Sequence, residues 1–137
     1  MKSVLLPYLA FNGNCHEAMA FYHSILGGKL VQQTFGEAMN ETNPAIKNKI
    51  IHASLENDSV SLMASDCPPE QKAVFGNSVS LSLIGSDANQ LTRFYNALSK
   101  GGKIEMALGK QFWGDTFGAF QDKYGIHWMV NITAEKK

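Results

Sequence analysis

The chain has 137 residues, 45% of them hydrophobic and only 18% charged, and its twelve basic and twelve acidic side chains cancel. A domain of this length buries about two-thirds of its unfolded surface and folds without disulfide or metal. The charge balance excludes a broad nucleic-acid-binding face and an acidic tail, and so few charges point to surface hidden in an oligomer.

Cys15 and Cys67 stand far apart with no C-x-x-C pair, a usage that suits a reducing, cytoplasmic setting. The first apolar run contains Pro7 and stops at Asn12. It is too short and too broken for a signal peptide or a membrane span.

A strand is expected over residues 4–11. Asn14 then offers a helix N-cap, and Glu17 three residues later completes a capping-box pattern. Cys15, Ala18, Met19, Tyr22, Ile25 and Leu26 form one apolar stripe of helical period, and Gly27-Gly28 closes the helix. Strand-like runs follow at 29–35, 49–55 and 59–65, the last two joined by a turn at Asn57-Asp58. The connection from Gly36 to Asn48 is long and polar. It reads either as a lid carrying Met39 over a site or as a mobile surface loop.

The pattern then repeats. Residues 79–84 read as a strand, Ser86-Asp87 offers a cap, and Ala88, Leu91, Phe94, Tyr95 and Leu98 form the stripe up to Gly101-Gly102. Strands at 103–108, 116–121 and 126–132 follow, with Tyr124-Gly125 at the matching turn. Phe21-Tyr22 before Gly27-Gly28-Lys29-Leu30 is mirrored by Phe94-Tyr95 before Gly101-Gly102-Lys103-Ile104. The class is α+β: two tandem βαβββ modules at 1–66 and 77–132, a connector at 67–76 and a tail at 133–137. Each helix covers one sheet face, and the open faces are expected to form a curved mixed-sheet cup with the helices outside, a place where ligands bind.

Alternation along the strands assigns side chains to faces. Ile51, Ala53, Leu55, Val60, Leu62 and Ala64 point to the first helix. Val79, Leu81, Leu83, Ile126, Trp128 and Val130 are their counterparts in the second module. The cup then receives His52, Ser54, Ser61, Met63 and Ser65 from the first module. From the second it receives Ser78, Ser80, Ser82, His127, Met129 and Asn131. Such a cup is mildly polar, rich in thioethers and without carboxylates, so it has little acid–base capacity.

His52 is the best candidate for chemistry, as base or ligand near neutral pH. The alternative is a half-buried histidine bonded to backbone or serine. His127 carries the same functional reading against an exposed strand edge. Trp113, beside Phe112, is either an aromatic wall of the cup or packing against the other half or a second subunit. Met63 and Met129 either line an adaptable pocket or fill core. Cys15 starts a helix, where a dipole lowers a thiol pKa, yet its place in the apolar stripe favours structural burial. His16 and His23 lie outside that stripe, on the surface.

The doubled pattern resembles the vicinal oxygen chelate superfamily of glyoxalases, extradiol dioxygenases and drug-binding resistance proteins. Ile51-His52-Ala53-Ser54-Leu55 with Asp58 to Asp66, and Phe112-Trp113-Gly114-Asp115-Thr116-Phe117-Gly118 with Asp122 to Trp128, resemble its PhnB-like branch. Lys123 and Tyr124 stand where that branch has proline and phenylalanine. Some members are labelled as a 3-demethylubiquinone methyltransferase domain, but this chain shows no Gly-rich loop that would hold S-adenosylmethionine.

The resemblance implies a divalent metal held by one side chain from the first and last strand of each half. Those positions fall here on Pro7, Met63, Ser80 and Met129, and a slip of one residue offers Leu6 or Tyr8, Leu62 or Ala64, and Trp128 or Val130; none of these offers imidazole or carboxylate. The inherited metal site therefore reads as lost. The expectation is a homodimer without cofactor, nucleic-acid partner or membrane partner, binding a small, partly apolar molecule in the cup. Whether it is an enzyme stays open. The alternative is a metal-dependent lyase, isomerase or dioxygenase with a rearranged site, in which His52 and His127 are ligands aided by Glu56, Asp58 or Asp122. A third reading is a dimeric interaction module with no ligand.

Overall fold

The computed structural model describes residues 3–134. Of the expected tail, 135–137 lie outside the described residues. The chain divides into two compact units, Met1–Val74 and Phe75–Lys137.

The first unit contains β1 (Tyr8–Phe11), α1 (Cys15–Leu26), β2 (Lys29–Thr34), α2 (Phe35–Met39), β3 (Ile50–Glu56) and β4 (Ser61–Asp66). Its sheet runs β1-β4-β3-β2, with β1 parallel to β4 and the other pairs antiparallel. The second unit contains β5 (Leu81–Gly85), α3 (Ala88–Ser99), β6 (Lys103–Lys110), β7 (Thr116–Gln121) and β8 (His127–Ile132). Its sheet runs β5-β8-β7-β6, again with one parallel pair, β5 and β8. Each unit is a βαβββ module, and the fold is α+β. No described helix is long and apolar enough to cross a membrane.

The stripe on α1 follows its predicted period except at Ile25, which is half-buried. Cys15, Ala18, Met19, Tyr22 and Leu26 are buried against the sheet, where Ala53, Leu55, Leu62 and Ala64 are also buried. Each large side chain withdrawn from water in this way contributes about 1.5–3 kcal/mol. In the second module Leu91, Tyr95 and Leu98 of α3 are buried, as are Phe120, Trp128 and Val130 of the sheet.

The cap of α1 departs from the sequence pattern. Asn14 occupies the N-cap position, but its side chain makes no capping bond. Asp66, at the end of β4, takes that role: Oδ1 accepts from Gly13 N and Cys15 N, each at 2.9 Å, and Oδ2 accepts from Ile50 N at 2.9 Å. A buried carboxylate from a distant strand thus satisfies helix, loop and sheet at once, and it outcompetes the local side chain. α3 keeps the expected local solution, with Asp87 Oδ1 accepting from Gln90 N at 3.0 Å.

The repeat extends to its turns. Gly28 has φ +93° and Gly102 sits at the same point of the second module. A β-carbon on Gly28 would stand 2.5 Å from Glu56 O, and one on Gly102 would collide with Gln121 O. Asn57 and Asp122 follow those two carbonyls, and each folds its side chain back on its own turn.

Several boundaries shift. β1 starts at Tyr8, and Val4 and Leu5 ahead of it are exposed, because the ladder reaches back only to Pro7 O, which accepts from Met63 N. β5 starts at Leu81, which leaves Val79 exposed instead of in the core and Ser80 outside the strand. A bulge opposite Gln33/Thr34 makes Ile51 the unpaired residue of β3, so Ile50 takes the fully buried place expected for Ile51. Residues 36–48, expected as lid or mobile loop, contain the end of α2. Its capping box joins Thr34 to Glu37, and its flanks are tied by Phe35 N to Lys49 O and Gly36 N to Lys47 O, both 2.9 Å. The start of the expected connector is part of the first module: Cys67 N donates to Phe11 O, and Asn12 and Ala73 bond reciprocally.

Candidate functional site

The face of the first sheet turned away from α1 carries a row of paired residues. Tyr8 pairs with Met63, Met63 with Ser54, and Ser54 with Val31. Alternation drives this, since Leu62, Ala64, Ala53 and Leu55 fill the buried places on the opposite face. Tyr8 and Val31 are exposed, and Met63 and Ser54 between them are half-buried. His52, next along β3, shares this face. Its Nδ1 lies 3.5 Å from the Tyr8 hydroxyl, and the two rings are 6.2 Å apart. Ser61 begins β4 on the same face, paired with Glu56 and exposed.

The second module repeats the row. Ser82 pairs with Met129, Met129 with Ala119, and Ala119 with Met106. A methionine thus sits on the last strand at the same place in each sheet. His127 precedes it on the same face, and its Nδ1 donates to Glu105 Oε1 at 2.9 Å. This corrects the expectation of a site without carboxylates. Glu105 was visible as part of a strand, but a bulge between Ile104 and Met106 obscures its face.

Trp113 lies in the β6–β7 connection. Its ring meets Phe112 edge-on at 4.9 Å and Phe117 at 6.1 Å, and Phe112 is almost fully exposed. Asp115 beside it is held below the usual carboxylate range, first by the Asn131 side chain at 3.0 Å and then by Ala134 N at 3.2 Å.

Register also refines the positions drawn from the resemblance. Tyr8, not Pro7, stands beside Met63, and Ser82, not Ser80, stands beside Met129. None of these is an imidazole or carboxylate donor, so the set does not fit a hard divalent ion. Among the described residues no three His, Cys, Asp or Glu side chains group closely enough to hold a metal. Of the acids that could assist a rearranged site, Asp122 is buried and spent on Tyr124 N, Ile126 N and Trp128 Nε1, whereas Glu56 and Asp58 are exposed.

Cys15 is a structural thiol. Burial, with the charge of Asp66 adding to it, pushes its pKa up to about 12. His16 and His23 are exposed, as expected; His16 Nδ1 lies 3.0 Å from Gln32 Nε2, and His23 Nε2 lies 3.1 Å from Gly28 O. The sequence offers Tyr8 only as a one-residue slip from Pro7, and the register with Met63 is what separates the two.

Residues 5–130 match the family model of the Glyoxalase/Bleomycin resistance protein/Dioxygenase superfamily. Protein YjdN of Escherichia coli (strain K12) is 33% identical, over 96% of this chain and 97% of that one. The crystal structure of protein PA1353 from Pseudomonas aeruginosa superposes with a TM-score of 0.89 at 41% identity, covering 98% of this chain and 100% of the other. The PhnB protein from Bacillus cereus shares the fold, with a TM-score of 0.79 at 24% identity over 96% of this chain and 100% of its own.

Proposed function

We propose that this chain, which belongs to the Glyoxalase/Bleomycin resistance protein/Dioxygenase superfamily, binds a small, partly apolar molecule on the open faces of its sheets without a divalent metal. The observation that carries this reading is the methionine at the same place on each open face, Met63 beside Tyr8 and Met129 beside Ser82. A thioether adapts its shape to an apolar ligand and makes favourable contacts with aromatic rings. It does not anchor a hard cation, which this superfamily position would otherwise serve. Half-buried Ser54 on the first face and the His127–Glu105 pair on the second each offer polar contacts that orient a ligand.

Self-association into a homodimer is part of the same proposal. Zero net charge and exposed apolar side chains such as Leu5 and Val79 support it. Native mass spectrometry tests it.

The test of binding is a thermal-shift and NMR screen of aromatic and apolar compounds on protein purified without a tag or chelator. Saturable binding, with Met63→Lys removing the ligand's shifts on the first face and Met129→Lys those on the second, and elemental analysis showing no stoichiometric metal, is the expected result. About one equivalent of zinc, manganese, nickel or iron per chain would overturn the metal-free reading. Binding indifferent to both substitutions would overturn the placement of the site.

A further inference from the structure

We propose that the first module carries a second binding site, for a small apolar carboxylate, in the cavity between the α2 loop and the segment that follows β4. The cavity has a volume of about 530 Å³, within the range of small-molecule sites. Its lining residues all belong to the first module, and none belongs to the open-face row described above.

Both walls are held in place. The α2 side is fixed by the Thr34–Glu37 capping box and by the bonds from Phe35 N and Gly36 N to the chain just before β3. The opposite side is fixed by Cys67 N on Phe11 O at 2.7 Å and by the Asn12–Ala73 pair at 2.8 and 3.1 Å. A cavity with pinned walls requires little ordering when a ligand enters.

The walls are apolar. Phe35, Met39 and Ile46 face the space from one side, and Pro68 and Pro69 from the other. The two prolines offer no N–H groups and contribute shape alone.

The ammonium donors select the ligand. Lys49 and Lys72 both line the cavity. Lys49 Nζ donates to Gly13 O at 3.1 Å, which uses one of its three N–H groups. Glu41 also lines the space, but its Oε2 is committed to Thr42 N and Asn43 N. With Glu70 the lining holds two acids against two ammonium groups, so its formal charge is balanced, and what remains for a ligand are the ammonium donors left over at Lys49 and Lys72. An apolar body ending in a carboxylate meets both the walls and these spare donors.

The probe is decanoate below its micelle threshold, with decanol as the uncharged control, on full-length protein carrying 13C-methyl methionine. Met39 lies in the cavity, Met63, Met106 and Met129 lie on the open faces, and Met19 is fully buried as an internal reference. Decanoate is expected to shift the Met39 methyl saturably and leave the open-face methyls in place. It should slow alkylation of Cys67, another lining residue, by iodoacetamide. Affinity should fall about tenfold or more in Met39→Glu and in Lys49→Met, and decanol should bind about tenfold less tightly than decanoate. Met39 is exposed, so its substitution tests the site without disturbing the core. Shifts at Met63 and Met129 with Met39 silent, or unchanged affinity in Met39→Glu, would overturn the site. Equal binding of decanol would overturn the carboxylate. The Met63→Lys and Met129→Lys variants keep decanoate binding under this proposal, which separates it from the fate of the open-face reading.

Discussion

His127 on β8 and Glu105 on β6 form a hydrogen-bonded pair at 2.9 Å across the second sheet. The carboxylate can only accept when ionised, so it fixes the proton of the neutral imidazole on Nδ1 and leaves Nε2 as the acceptor. Glu105 is 40% exposed, and a pair this wet contributes at most about 1 kcal/mol. Glu105→Gln should therefore leave the urea midpoint almost unchanged while altering the tautomer balance of His127 in 15N-resolved imidazole spectra. A midpoint loss well beyond that limit would show that the pair is structural.

Asp66→Ala tests the distant cap. Three backbone N–H groups lose a buried charged acceptor, and hydrogen bonds to charged groups are worth about 1.5–3 kcal/mol each in mutational series. The partners relax partly onto water, so the expected loss is about 3–5 kcal/mol by urea denaturation, with Asn14→Ala costing less than about 1 kcal/mol. Equal effects of the two substitutions would contradict the assignment.

Cys15 gives stability a defined pH dependence. Its pKa rises from 9.0 to about 12 on folding. Below pH 9 folded and unfolded chains both hold the proton, and the contribution is fully present. Between pH 9 and 12 the unfolded thiol releases its proton first, so stability falls by at most about 1.4 kcal/mol for each pH unit. Cys15→Ala should flatten that part of the stability curve. In native protein near neutral pH, mass spectrometry after iodoacetamide treatment should find Cys67 alkylated and Cys15 untouched.

Gly28→Ala should destabilise by about 2 kcal/mol or more, because the residue combines left-handed φ with a backbone oxygen 2.5 Å from the new carbon. The repeat predicts a comparable loss for Gly102→Ala. Paired chemical-denaturation curves would show whether the two modules share this constraint; a neutral effect at either glycine would break the equivalence.

The fold was legible because its signals are periodic and doubled. The stripe from Cys15 to Leu26 and the glycine pairs at 27–28 and 101–102 mark each module twice over. What escaped was long-range or positional. Asp66 looks like the end of a strand, and nothing near it in the chain says that it caps a helix. The bulges at Ile51 and Glu105 break the alternation from which faces are read. Tyr8 and Pro7 differ by one residue, and only the pairing with Met63 tells which lies beside the methionine. The α2 turn hid because Thr34 and Glu37 sit where a strand gives way to a polar loop, so their capping box was absorbed into both.

The Asp66 cap also sets the timing of folding during synthesis. Cys15 N finds its acceptor 51 residues later in the chain. A helix of twelve residues is marginal by itself, and β4, which holds that acceptor, is the last strand of its module to leave the ribosome. Until it arrives, α1 has β2 and β3 to pack on but neither the rest of its sheet nor its cap. The first module is therefore completed late: a chain interrupted before residue 66 lacks the acceptor for Gly13 N, Cys15 N and Ile50 N and the strand that joins β1 to β3.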